Sequence, residues 1–220
     1  MQRKIVISKG EHYHLYNRGV DKRVIFLDEK DRRRFVKLLY VANGERSFVF
    51  RDIEDKSFAE IDRGEPLVAI GAYVLMSNHF HILVKEVRKG GTSAFMEKLL
   101  TGYSSYFNKR HGRSGRLFQG TYRAEHLNRD TYLKYIFSYI HLNPIKMIDP
   151  EWKKVGIRNM KKAKKFLEQY RYSSYLDHIG TEREENSILS THEFPAYFST
   201  SREFKEETKE WLKYKDTYNT

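Results

Sequence analysis

Residues 67–85 read LVAIGAYVLMSNHFHILVK, and this stretch decides the fold. Its first half, residues 67–76, is an almost continuous apolar run, which is typical of a strand covered on both faces. Ser77 and Asn78 then turn the chain into the run HFHILVK at residues 79–85. The stretch therefore predicts an antiparallel hairpin that needs covering layers on both sides.

The flanking sequence supplies strands and helices that can form those layers. The predicted elements are a strand at 12–18, a helix starting near residue 28, the hairpin strands at 67–76 and 79–85, a helix at 93–110, a strand at 117–126 and a helix from about 130 to 142. This order predicts an α+β fold, namely a ferredoxin-like antiparallel sheet with packed helices. The charged residues 44–66 predict a loop or short hairpin before the second strand.

The chain divides into two predicted regions at residue 148. Residues 1–148 hold all the predicted sheet elements and form the core domain. Residues 149–220 are rich in lysine and then helical in pattern. We expect them to form a helical C-terminal appendage with polar linkers, to which the sequence assigns no role.

The composition points to a polyanionic partner. The 220 residues include 41 Lys and Arg against 29 Asp and Glu, a formal net charge of +12. Nucleic acid is the first candidate partner, although charge alone leaves a merely soluble basic protein open. The absence of cysteine excludes disulfides and zinc sites with sulfur ligands. The absence of a signal peptide and of an apolar run of about 18 residues predicts a cytoplasmic protein without membrane contact.

His79 and His81 are the candidate metal ligands. Residues two apart in a strand face the same side, so the two imidazoles project together from the second arm of the hairpin. Imidazoles commonly bind divalent transition metals. The alternative is a pair of structural histidines, and the spacing alone cannot decide, because His12 and His14 have the same spacing on the first predicted strand.

Tyr139 is the candidate nucleophile, in the segment YLKYIFSYIHLNP at residues 132–144. Tyr139 and Asn143 are four residues apart and so share a helix face, where the Asn oxygen could become a third metal ligand. A tyrosine hydroxyl has a pKa of about 10 and needs a nearby cation to attack phosphorus at neutral pH. The alternative for Tyr139 is a buried aromatic residue.

Two basic segments are candidate contacts to a DNA backbone. One is KRHGRSGR at residues 109–116, whose glycines let the backbone approach phosphate. The other follows the first predicted strand and contains Arg18, Lys22 and Arg23. The candidate cations are Arg18, Lys22, Arg23, Lys109, Arg110, Arg113, Arg116 and Arg123. For each of them, a solvated charged loop is the alternative.

Five runs of the chain carry a family resemblance. They are YHLYNRGVDKRVIF, AYVLMSNHFHILVK, YSSYFNKRHGRSGRLFQGTYRAEHL, YLKYIFSYIHLNPIK and YSSYLDHIG. In this order they resemble the REP-associated tyrosine transposases and their insertion-sequence 200 type relatives, which are single-tyrosine HUH transposases. The likeness spans roughly residues 11–180. Residues 44–66 are longer than the family pattern suggests, and the tail beyond about residue 180 matches none of its motifs.

The resemblance implies a specific chemistry. It places the HxH motif on His79 and His81, the nucleophile on Tyr139 and the assisting polar ligand on Asn143, all within a catalytic domain of residues 1–148. It implies a divalent ion, Mg or Mn, and cleavage of single-stranded, hairpin-forming DNA through a 5′-phosphotyrosine intermediate. A DNA-binding protein of the same fold that no longer cuts and an RNA-binding ferredoxin-like domain are the alternatives. The sequence leaves a homodimer open.

Overall fold

Four strands form one antiparallel sheet in the order β2-β3-β1-β4. A computed structural model of the chain describes residues 5–197 and 200–213, with side chains described as far as residue 208. The strands are β1 (His12–Arg18), β2 (Ala69–Leu75), β3 (His79–Lys85) and β4 (Arg123–His126). The predicted hairpin at residues 67–85 is thus confirmed as β2 and β3.

Helices cover both faces of this sheet. They are α1 (Glu29–Val41), α2 (Gly91–Arg110), α3 (Asp130–Leu142), α4 (Trp152–Val155), α5 (Met160–Gln169), α6 (Tyr175–His178) and α7 (Ser201–Lys213). Asp28 caps α1 by accepting a hydrogen bond from the backbone N–H of Asp31, which explains the predicted helix start. The predicted α+β fold with packed helices is confirmed. In the part of the chain that is described, no helix combines the length and apolar character needed to span a membrane.

The alternation of β3 divides the core into two layers. Phe80, Ile82 and Val84 point to the face that α1 and α2 cover, where the ring of Phe80 lies 4.9 Å from that of Phe35. Leu83 points to the opposite face and joins the core formed with α3. His79 and His81 share this second face with Leu83, so the packing of α3 determines what surrounds them.

The segment beyond residue 148 contributes to the second core layer. Trp152, Leu167 and Phe204 are buried there. Residues 172–174 also run beside β2, where the backbone N–H of Leu75 donates to the carbonyl of Tyr172 at 2.9 Å. Part of the predicted appendage therefore packs on the sheet, while residues 214–220 lie outside the described part. The division at residue 148 stays a prediction.

Two predicted elements differ in detail. Residues 44–66 form a loop, closed by a bridge between Gly44 and Pro66 and containing 3₁₀ turns at Phe50–Asp52 and Phe58–Glu60. The strand predicted at 117–126 begins only at Arg123. Gly120 has a φ of 73°, which is outside the range of a strand, so the chain cannot pair continuously before that point.

Candidate active site

The strand register brings polar side chains of three strands to one face of the sheet. His81 on β3 is paired with Tyr16 on β1, and His79 is paired with Arg18. On the other side of β1, His14 is paired with Glu125 of β4. Residues opposite each other in an antiparallel pair project to the same face, so these side chains and the two histidines lie in one layer beneath α3.

His79 and His81 form the imidazole pair that the sequence predicts. Their ring centroids are 5.1 Å apart and the rings are nearly perpendicular, at 87°. His81 is buried and His79 is half-buried. Burial, and then the charges of Lys146 and Arg18, lower the pKa of His79 to about 4. Burial, and then the charge of His14, lowers the pKa of His81 well below its ordinary value, so both rings are neutral at pH 7.

Tyr139 on α3 lies beside this pair. Its ring centroid is 5.5 Å from that of His81, and the two rings meet edge to face at 89°. The ring of His14 is 6.0 Å away in a similar edge contact. The structure therefore brings Tyr139 and the HxH histidines together, which is the arrangement that the sequence predicts.

Asn143 lies one helical turn after Tyr139, at the end of α3. Its Nδ2 donates to the backbone carbonyl of Tyr139 at 3.0 Å. Its Oδ1 is buried and has no hydrogen-bond partner among the described residues. A buried acceptor without a donor is costly, and a cation can satisfy it as well as an N–H group.

The donor set fits a divalent ion if Asn143 takes part. Over the described side chains, no three His, Cys, Asp or Glu residues are arranged to hold a metal ion by themselves. The candidate donors are the two neutral imidazoles and the unsatisfied amide oxygen of Asn143, one helical turn after Tyr139. Neutral imidazole is the form that binds metals, so the lowered pKa values of His79 and His81 suit this role.

Two lysines beside Tyr139 were not predicted from the sequence. The Nζ of Lys153 on α4 lies 3.9 Å from the centroid of the Tyr139 ring, and the Nζ of Lys146 lies 5.8 Å from it. Burial lowers the pKa of Lys146. Both residues follow Pro144 in a segment whose path depends on packing, and no local pattern indicates that it returns to the site.

His14 and Glu125 were also not predicted as part of the site. The Nε2 of His14 is 2.8 Å from the Nδ1 of His81, and its Nδ1 is 3.5 Å from Oε2 of Glu125. Glu125 also accepts hydrogen bonds from the hydroxyls of Tyr16 at 2.7 Å and Tyr132 at 3.2 Å. The nearby His14 ring, foremost, and these two hydrogen bonds lower the pKa of Glu125 to about 2. The signal in the sequence is the HYH run at residues 12–14, whose spacing is the same as that of HFH.

The predicted DNA-binding cations fall into two groups. Seven of the eight are exposed, namely Arg18, Lys22, Arg23, Lys109, Arg110, Arg116 and Arg123. The loop after β1 and the loop before β4 are joined by a bridge between Gly19 and Phe118. This bridge brings the cations of the two loops to the end of the sheet at which β1 ends and β4 begins. This end of the sheet adjoins the site, because His79 is paired with Arg18, the last residue of β1.

Arg110 and Arg113 differ from the other six cations in their contacts. The guanidinium of Arg110 forms ion pairs with Asp28 and with the buried Asp31. Arg113 is half-buried, and its guanidinium lies 5.8 Å from the centroid of the Phe107 ring. Both arginines thus stabilise the end of α2, and a DNA contact by either stays a prediction.

Comparison with known proteins connects this site to a family. Residues 12–143 match the model of a family described as "Transposase IS200 like". No curated protein gives a match. The fold is similar to the solved structure described as "Structure of the REP associates tyrosine transposase bound to a REP hairpin", with a TM-score of 0.51 and 13% sequence identity. The similarity covers 84% of this chain and 90% of that one.

Proposed function

Because the chain belongs to the IS200-like transposase family, we propose that it cuts and rejoins single-stranded DNA with Tyr139 as the nucleophile. Its metal ligands are His79, His81 and Asn143, and its ion is Mg or Mn. One observation carries the proposal, namely the edge contact of the Tyr139 ring with His81 at 5.5 Å. A nucleophile and two neutral imidazoles in one small volume suit metal-assisted attack on a phosphodiester.

The reaction is a transesterification. The Tyr139 oxygen attacks the scissile phosphorus, the new oxygen–phosphorus bond replaces the bond to the 3′ oxygen, and the phenol proton ends on that leaving oxygen. The products are a 5′-phosphotyrosine and a free 3′ hydroxyl, and attack by a 3′ hydroxyl reverses the step. Because one phosphodiester replaces another, no external energy source is needed. A bound Mg or Mn ion supplies Lewis-acid polarisation of the phosphate.

The chain's own cations assist this chemistry. Lys153, with its Nζ at 3.9 Å from the Tyr139 ring centroid, places a positive charge beside the nucleophile. Lys146 adds a second positive charge near the same ring. Both charges also attract the phosphate that has to approach Tyr139.

We propose hairpin-forming single-stranded DNA as the substrate. The transposase of similar fold was captured bound to a REP hairpin. In the present chain, the exposed cations of the two adjoining loops offer a surface for the DNA backbone next to His79. DNA held against these loops would bring its phosphates to the site.

A covalent-complex assay tests the proposal. The protein is incubated with labelled hairpin DNA and Mn²⁺ or Mg²⁺, and the mixture is separated on a denaturing gel. We expect a DNA-linked protein band that disappears when EDTA is added before the DNA. A DNA-binding protein of the same fold that no longer cuts would retain the DNA on a native gel and give no such band. An equally strong band with EDTA would refute the role of the metal.

Replacing Arg116 should weaken DNA binding in a salt-dependent way. Arg116 is exposed in the loop before β4. Loss of one phosphate contact should reduce the slope of log K against log salt by about 0.7–0.9. Binding of hairpin DNA by Arg116→Gln is measured by fluorescence anisotropy at several salt concentrations. Arg51→Gln, which removes an equally exposed charge from the 44–66 loop, is the control. An identical slope for both variants would exclude Arg116 as a phosphate contact.

A further inference from the structure

A chain of polar contacts leads from His81 away from Tyr139. The rings of His14 and His81 stack with centroids 5.0 Å apart, and Nε2 of His14 lies 2.8 Å from Nδ1 of His81. Only 3% of His14 is exposed. On its other side, Nδ1 of His14 faces Oε2 of Glu125 at 3.5 Å. His14 thus lies between a buried imidazole and a carboxylate.

The positions of the protons follow from the ends of this chain. The Glu125 carboxylate already accepts from the hydroxyls of Tyr16 and Tyr132, so it faces His14 as an acceptor. A neutral imidazole has one N–H, and we assign that of His14 to Nδ1, where it points toward the Glu125 carboxylate at 3.5 Å, a contact that falls short of a hydrogen bond and leaves Nδ1 buried without another partner. The Nε2 of His14 then has only a lone pair, so the 2.8 Å contact requires Nδ1 of His81 to donate. The lone pair of His81 is left on Nε2.

We propose that His14 and Glu125 are positioning residues that hold His81 as its Nδ1–H tautomer and present its Nε2 to a divalent ion. This inference rests on the proposed metal site. Ligand histidines usually donate their second ring N–H to such a partner, which fixes the ring and its tautomer. His79 has a comparable partner, because its Nδ1 is 2.6 Å from Oδ1 of Asn78. His14 itself is not a ligand in this scheme.

Nitrogen-15 NMR of the histidine rings tests the tautomer in metal-free protein. We expect His81 of the wild type to be protonated at Nδ1. His14→Leu keeps the site filled but cannot accept, so His81 should lose this preference. His14→Gln should retain it, because the amide oxygen can accept from His81 while its NH₂ donates to Glu125. Protonation of His81 at Nε2 in the wild type would overturn the proposal.

Two further variants test whether a change in the His81 tautomer comes from loss of these contacts or from a general disturbance of β1. Glu125→Leu removes the carboxylate at the outer end of this chain of contacts, where the side chain is 40% exposed. It should also weaken the Nδ1–H preference of His81. His12→Gln is the matched control, because His12 lies two residues earlier on the same face of β1 but contacts Phe194, at a ring distance of 5.3 Å. It should leave His81 unchanged.

Metal affinity is the second readout, independent of cleavage. Titration calorimetry with Mn²⁺ should show that His14→Leu binds about 10–100-fold more weakly than the wild type. His14→Gln and His12→Gln should stay near the wild-type value. A wild type that binds no Mn²⁺ would refute the metal site of the proposed function. Normal Mn²⁺ binding by His14→Leu, with the tautomer of His81 unchanged, would refute only the positioning role of His14 and Glu125.

Discussion

The Tyr139→Phe protein is expected to bind hairpin DNA and to form no covalent adduct with it. Phenylalanine keeps the ring that contacts His81 at 5.5 Å and that lies beneath the Lys153 amine, so the surroundings of the site are retained. Only the attacking oxygen is lost. Removal of a nucleophile lowers a catalysed rate by roughly a million-fold, which is far below what a denaturing gel detects.

Tyr135→Phe is the matched control for this experiment. Tyr135 lies one turn before Tyr139 on α3, its ring is 6.0 Å from that of Tyr139, and it is also half-buried. Its variant loses one hydroxyl from the same helix and should still form the adduct. An adduct with Tyr139→Phe, mapped by mass spectrometry to another tyrosine, would assign the nucleophile elsewhere.

Local signals account for the parts of the fold that the sequence predicts well. The hairpin of residues 67–85 follows from an apolar run, a two-residue turn and a second run of strand pattern, all within one short segment. The start of α1 follows from the capping side chain of Asp28. Tyr139 and the HxH histidines are far apart in the sequence, so residue spacing alone does not predict their contact. The resemblance to known transposases supplies that prediction.

Tertiary packing decides the parts of the site that the sequence does not reveal. His14 reaches His81 and Glu125 because β1 lies between β3 and β4, an order that no local pattern specifies. Lys146 and Lys153 reach Tyr139 because the chain turns back after Pro144. In each case the sequence shows a residue type that suits the site, but it does not show which distant residue that side chain contacts.

Arg110 illustrates how a surface charge can be misjudged from sequence. It lies in a basic run, yet it binds the carboxylate of Asp31, which is fully buried. Asp31 also accepts from the backbone N–H of Leu27 at 2.9 Å, from the Tyr106 hydroxyl at 3.2 Å and from His111 at 3.1 Å. One carboxylate thus joins the start of α1 to the end of α2 and to His111, the first residue after α2.

Asp31→Ala is therefore expected to lower the free energy of unfolding by about 1–3 kcal/mol, the usual cost of leaving a buried donor without its acceptor. The variant leaves the N–H of Leu27 without its acceptor and removes the buried partner of Arg110. Urea unfolding followed by circular dichroism measures the change, with the m-value checked for two-state behaviour. Glu29→Ala, which removes an exposed partner of Arg33 from the same helix, should change stability little. If both variants unfolded at the same urea concentration, the contacts of Asp31 would make no measurable contribution to the stability of the α1–α2 pair.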